Sequence, residues 1–202
     1  MTGTSSNEVS EAAHQFRNHI QIIASLLHLH AGHLRSENVS DLLKKLQMRL
    51  EVAAETVLLT VGAPSDDAAA LRLLEVIDKV VARIYRDDRR GAATFKIINL
   101  RTNAVTLATI GQIFAELLSN IYCRPGAAAK PVAVKIDRGA DDRVTLSVRV
   151  VGVVPDENLE AVDPLTSKLI AGLAASVGGE IHFDKEAIYD ARLTFFAPPK
   201  AG

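Results

Sequence analysis

The sequence predicts an α+β fold: an N-terminal helical hairpin that forms a dimeric four-helix bundle, followed by an α/β sandwich with helices on one face of a mixed sheet. Three observations predict it. Apolar residues recur at alternating steps of four and three in two runs, Val9 to Leu34 and Val39 to Val61. The pattern then breaks at Gly62-Ala63-Pro64-Ser65-Asp66-Asp67. Beyond that break the segments alternate between helical and strand periods. The chain therefore divides into a hairpin at residues 1–62 and a sandwich at residues 66–202.

The first seam is Val9, Ala13, Phe16, Ile20, Ile23, Leu27, His30 and Leu34. Ser5 and Glu8 have the spacing of a capping box that starts it. The second seam is Val39, Leu43, Leu46, Leu50, Ala53, Val57 and Val61. Only Arg35-Ser36-Glu37-Asn38 separates them, so the helices are antiparallel neighbours. Each would be about 25 residues, or roughly 38 Å long. Ile22, Leu26, Leu42 and Leu58 widen the apolar stripe beyond what two helices can cover. A second copy of the hairpin is the expected cover, making a homodimer. The alternative is that the second half of the same chain covers it.

In the second half, Ala68 to Arg86 reads as a helix, Thr94 to Leu100 as a strand and Thr106 to Tyr122 as a helix. Pro131 to Asp137 and Val144 to Val150 alternate apolar and polar residues and flank the turn Gly139-Ala140-Asp141-Asp142, which makes them a hairpin. Leu165 to Val177 reads as a helix stopped by Gly178-Gly179. Glu180 to Asp184 and Ala191 to Phe196 are the closing strands.

Composition narrows the function classes. Hydrophobic residues make up 48% of the 202, enough for a real core. With 23 basic and 24 acidic residues the net charge is −1, which gives no bulk attraction to nucleic acid or an anionic membrane. Cys123 is the single cysteine, so no internal disulfide forms and a reducing compartment is expected. The N-terminus lacks a signal-peptide pattern, and no apolar run approaches the roughly 20 residues of a membrane span. The expectation is a cytoplasmic protein without a membrane segment or sensor domain.

The first helix carries the candidate chemistry. His14, Arg17, Asn18, Gln21 and Ser25 recur at three- and four-residue steps and share one polar stripe, with Gln15 beside the histidine. A partly exposed neutral imidazole is a good nucleophile near neutral pH, open to a second protein. Arg17 by charge and Asn18 by donation suit an arriving phosphoryl group. On helix geometry alone an ordinary solvated helix face with a histidine on it is the better explanation of the stripe. His30 reads as a packed seam residue, and His19, His28 and His33 as surface residues. His182 is a strand residue without an evident partner. His28 and His33 do not have the i, i+4 spacing of a helical metal pair, and no Cys or carboxylate cluster joins them, so no metal site is expected. In the second half, Glu116 and Asn120 stand one helical turn apart, a spacing that can hold Mg²⁺ and its waters against a triphosphate and that also arises by chance.

These residues resemble a family. His14, Arg17, Asn18, Ile20, Gln21, Ile23, Ser25, Leu26, Leu27 and Leu29 look like the dimerisation and phosphoacceptor helix of sensor histidine kinases of the His-Arg-x-Lys-Asn type, related to the HWE group. The second half resembles their GHKL-type ATPase domain in element order. Glu116 and Asn120 fall at the Mg²⁺-binding N box, and Ser176-Val177-Gly178-Gly179-Glu180-Ile181 looks like the closing Leu-Gly-Gly-x-Ile turn. The resemblance implies that His14 is the phosphoacceptor, that Gln15, Gln21 and Ser25 help dock a receiver domain, and that the protein is a dimer.

The departures shape the expected function. The family holds adenine with the aspartate of an Asp-x-Gly-x-Gly segment. Here that place reads Val148-Arg149-Val150-Val151-Gly152-Val153-Val154-Pro155, with valine for aspartate and only Gly152 kept of the two glycines. Asp163-Pro164-Leu165-Thr166-Ser167-Lys168-Leu169 has no glycine for the second phosphate-approaching box. The stretch from Gly152 to Asp163 is short for an ATP lid, and after Asn120 the chain runs Ile121-Tyr122-Cys123-Arg124-Pro125 where the family usually has a Lys-His pair. Glu116, Asn120 and Gly152 are thus vestiges of a nucleotide site. The expected function is histidine phosphotransfer between receiver-domain aspartates of a phosphorelay, without productive ATP binding. No intrinsic cofactor is expected, Mg²⁺ being supplied by the receiver. The alternatives are a receiver-directed phosphatase in which Asn18 or Gln15 orients water, an active kinase with a separate sensor, and a non-catalytic module that sequesters a regulator.

Overall fold

A computed structural model describes residues 39–62, 68–85, 93–98, 100, 102–123, 130–139, 141–152, 164–184 and 190–196. The first predicted helix lies outside the described residues, and with it His14, Gln15, Arg17, Asn18, Gln21 and Ser25.

Helix α1 spans Val39–Gly62. Its buried residues are Met48, Arg49, Val52, Ala53 and Thr56, at the three- and four-residue steps of one helix face. Of the predicted seam, Ala53 is on that face, Leu46 and Val57 are half-buried, and Leu43 and Leu50 are exposed. With Leu58, the latter two leave an apolar stripe uncovered on the opposite side. The helix thus carries two apolar faces, and the second half of the chain covers one of them.

Helix α2, Ala69–Tyr85, has the regular amphipathic pattern its sequence predicts: Ala70, Leu73, Leu74, Ile77, Val80, Val81 and Ile84 are buried. Helix α3, Ala104–Tyr122, is buried on nearly every side. It starts where Asn103 caps it, the side-chain oxygen accepting from Thr106 N–H at 2.8 Å. Among the described residues it is the one helix long and apolar enough to cross a membrane, yet it is mostly buried inside the protein. Its all-round apolarity follows from its place: α1, α2 and α4 (Pro164–Ser176) pack around it, and it rests on strand β3. One contiguous apolar core joins Met48 and Val52 of α1 to the sheet.

The sheet has five strands in the order β1-β2-β3-β5-β4. These are β1 Ala93–Ile97, β2 Val132–Arg138, β3 Arg143–Val150, β4 Glu180–Phe183 and β5 Asp190–Phe196. Strands β1 and β2 are parallel, joined through α3, and every other pair is antiparallel. The predicted mixed sheet with helices on one face is what forms. Val134, Ile136, Val144, Leu146, Val148, Leu193 and Phe195 are buried, and the intervening residues are polar and more exposed, the period-two pattern of a half-covered sheet. The first strand ends earlier than its sequence suggests. After Ile97 a last bond runs from Ile98 N–H to Ile136 C=O at 3.2 Å, and Leu100 is buried off the strand. The predicted β2–β3 turn closes with Gly139 N–H on Arg143 C=O at 2.7 Å, and Asp142 takes a positive φ of 61°.

The Gly178-Gly179 stop divides its work between two residues. Gly178 takes φ +64°, its N–H bonding Ala175 C=O at 3.0 Å, while Gly179 N–H bonds Ala174 C=O at 2.9 Å. This pair of bonds is a Schellman cap. Gly179 is needed for space: a Cβ there would meet Thr194 C=O at 2.7 Å and Phe195 Cβ at 2.9 Å. Gly179→Ala must push β5 away from the helix end, and is expected to cost about 2 kcal/mol. Urea unfolding measures it, and a loss within about 0.5 kcal/mol of zero contradicts the tight packing.

Candidate functional site

The part of the predicted site that can be described is the polar stripe of α3. A helix buried on all sides must find partners for any polar side chain it carries. Gln112, Glu116 and Asn120, each four residues from the next, form such a stripe. Glu116 is 1% exposed. Its partner comes from 67 positions earlier in the chain: Arg49 of α1, itself 2% exposed. Arg49 Nε donates to Oε1 at 2.6 Å and Nη2 donates to Oε2 at 3.1 Å. This is the fork-on-fork geometry that a guanidinium makes with a carboxylate. Gln112 Nε2 donates to Oε1 as well, at 3.3 Å, and Ser119 Oγ–H caps the Glu116 carbonyl at 2.9 Å. Both Glu116 oxygens are therefore engaged. Arg49 Nη1 and Asn120 Nδ2 are buried without a hydrogen-bond partner among the described residues.

Two tyrosines flank the stripe. Tyr122 O–H donates to Asp78 Oδ1 of α2 at 2.7 Å, a core cross-link within the run after Asn120 where the resemblance expects a Lys-His pair. The Tyr85 phenol is pushed up to about 12. Burial is the main cause, and the Cys123 thiol and the Glu116 carboxylate add to it; a Ser119 hydrogen bond and the Arg49 charge oppose it. The ordinary phenol value is about 10, so as pH rises the unfolded chain loses this proton first. Stability is intact below about pH 10 and falls between pH 10 and about pH 12, by on the order of 2 kcal/mol. Alkaline unfolding of wild type and Tyr85→Phe checks this. The phenylalanine variant is expected to lose less stability in that window, and equal losses contradict the assignment.

The other predicted vestige, Gly152, lies in the turn after β3 at φ +76°, with nothing within 4 Å of where a Cβ would stand. Val151 N–H bonds Pro131 C=O at 2.8 Å and ties this turn to the start of β2. Val150, in the stretch where the resemblance expects the adenine-binding aspartate, is 5% exposed and pairs with Val132 across the sheet. Its side chain is in the core and has no acceptor to offer a base. Residues 153–163, with the expected lid position, lie outside the described residues.

The structure places Glu116 on the same stripe as Asn120, as their spacing predicts, and sets Gly152 in a separate turn. The residues present do not fit a Mg²⁺ ion, which needs open oxygen ligands and several waters. Here the carboxylate is desolvated and its oxygens are taken by N–H donors. Among the described residues no group of three His, Cys, Asp or Glu side chains is arranged to hold a metal. Sequence reasoning missed Arg49, Gln112 and Tyr85. The signal for Gln112 was its i, i+4 relation to Glu116 in an otherwise apolar helix. For Arg49 it was a charge between Met48 and Leu50.

The family HisKA_2, described as Histidine kinase, matches residues 11–87. That stretch takes in the predicted phosphoacceptor helix, α1 and α2. No curated protein matches the chain. Among solved structures, the blue-light activated histidine kinase EL346 of Erythrobacter litoralis superposes with a TM-score of 0.67 at 15% identity, over 94% of this chain and 62% of that one. The histidine kinase domain of the same protein superposes with a TM-score of 0.60 at 14% identity, over 92% of this chain and 94% of that one. The chain thus spans under two thirds of the first relative's length. The fold is that of a histidine kinase.

Proposed function

We propose that this histidine-kinase-like protein is a phosphotransfer protein of a two-component relay, carrying a phosphoryl group on His14 between receiver-domain aspartates without productive ATP binding. The observation that carries the reading is Val150: where the resemblance places the adenine acceptor, the chain has a core valine. The HisKA_2 match over residues 11–87 supports the phosphoacceptor assignment. In this reading residues 1–62 form the transfer hairpin and residues 66–202 a degenerate ATPase-like domain that serves as scaffold and docking surface. The uncovered stripe of Leu43, Leu50 and Leu58 supports a homodimer through the hairpin. The protein works in the cytoplasm with response-regulator receivers as partners.

A neutral His14 ring nitrogen attacks the phosphorus of an aspartyl phosphate. The N–P bond forms as the acyl P–O bond breaks, the aspartate leaves as carboxylate, and the ring's other nitrogen gives up its proton. A second receiver's aspartate then takes the group by the reverse displacement. Arg17 and Asn18 orient the phosphoryl oxygens, and Gln15, Gln21 and Ser25 lie on the docking face. The receiver supplies Mg²⁺. Positioning accounts for most of the acceleration in such a transfer.

The match to a family described as Histidine kinase favours one second reading, an active kinase whose signal input comes from a separate protein. A single experiment separates the two: label this protein from a phosphorylated receiver and, in parallel, from Mg-ATP. Acid-labile, base-stable label from the receiver alone supports transfer. Label from Mg-ATP supports the kinase.

A further inference from the structure

We infer that Arg49 of helix α1 is a tethered cation that takes the place of a divalent metal at Glu116. The inference rests on the reading of Glu116 and Asn120 as the N-box pair. A charged carboxylate at 1% exposure needs a compensating positive charge. In an ATP-binding relative's chemistry that charge is a hydrated metal ion. Here it is a guanidinium from a helix outside the sandwich, at 2.6 and 3.1 Å.

The two sources of charge exclude one another. Mg²⁺ keeps several waters and accepts only oxygen lone pairs, whereas Arg49 uses both Glu116 oxygens and leaves no solvent at them. The buried side-chain atoms of Arg49 and Asn120 left without a hydrogen-bond partner among the described residues, Arg49 Nη1 and Asn120 Nδ2, are both donors. The pair is also what fastens α1 to α3 in charge terms. On the same face Met48, Val52 and Ala53 are buried apolar residues, and Thr56 O–H donates to Val52 C=O at 2.7 Å.

The test is the thermal unfolding of the full chain with and without millimolar MnCl₂. Wild type is expected to show no metal-dependent rise in Tm. Arg49→Met exposes an uncompensated carboxylate, and its lowered Tm is expected to recover by roughly 3 °C or more with Mn²⁺. The recovery is expected to vanish in Arg49→Met/Glu116→Gln, which buries no charge. If Arg49→Met does not accumulate folded, Arg49→Gln, which keeps one donor on Glu116, is read the same way. An equal Mn²⁺ response in wild type, or none in any single variant, overturns the inference. No step involves His14 or a receiver, so this failure leaves phosphotransfer standing. Conversely, failed transfer beside the expected Mn²⁺ pattern overturns only the proposed function.

Discussion

Replacing His14 by alanine is expected to lower phosphoryl uptake from an aspartyl-phosphate receiver by more than about 1,000-fold, to background. A nucleophile that forms the covalent intermediate cannot be substituted by its neighbours, and removing one costs at least this much in comparable systems. Arg17→Ala and Asn18→Ala are expected to lose less, about 10- to 100-fold, because each orients oxygens without forming a bond. Single-turnover transfer from a labelled receiver measures all three. The pattern separates the rival readings. A phosphatase using Asn18 or Gln15 to orient water keeps dephosphorylating the receiver without His14. A sequestering module keeps its receiver affinity in all three variants. Wild-type transfer in His14→Ala contradicts the assignment of the phosphoacceptor outright.

Glu116→Ala is expected to destabilise the fold by about 3–5 kcal/mol, the cost of stranding one member of a buried ion pair. For a chain of this size that corresponds to a fall in Tm of roughly 6–20 °C. The penalty comes from leaving the Arg49 guanidinium desolvated with its N–H donors lacking acceptors, not from losing attraction alone. Removing both charges, as in Arg49→Met/Glu116→Gln, is therefore expected to recover most of it, since well-packed neutral groups replace a buried pair at little net cost. Urea and thermal unfolding of the two variants supply the comparison. A cost below about 1 kcal/mol for Glu116→Ala would place the pair in a solvated, surface-like setting.

How far the sequence could be read follows from which interactions are local. The α4 stop at Gly178-Gly179, the β2–β3 turn and the amphipathic run of α2 depend on residues within a few positions of one another, and their boundaries fall within a residue or two of expectation. The end of β1 depends on its pairing with β2, about 40 residues on, and the strand stops short of Leu100. Helix α1 carries two apolar faces, and a heptad pattern ranks them by apolarity alone. The covered face includes Arg49, which any hydropathy reading assigns to solvent. Glu116 and Asn120 were legible as one stripe because four residues make a helical turn. What neutralises Glu116 was not, because its partner is 67 positions away. Val150 could be read as a departure from the family pattern because a valine side chain cannot accept a hydrogen bond wherever it stands.

The most direct measurement is the incubation of purified protein with labelled Mg-ATP, wild type beside His14→Ala, scoring acid-labile and base-stable label. The account predicts no label on either protein, since Val150 offers adenine no acceptor and Arg49 holds the Glu116 carboxylate. Label on wild type that is absent from His14→Ala would contradict it and identify an active kinase.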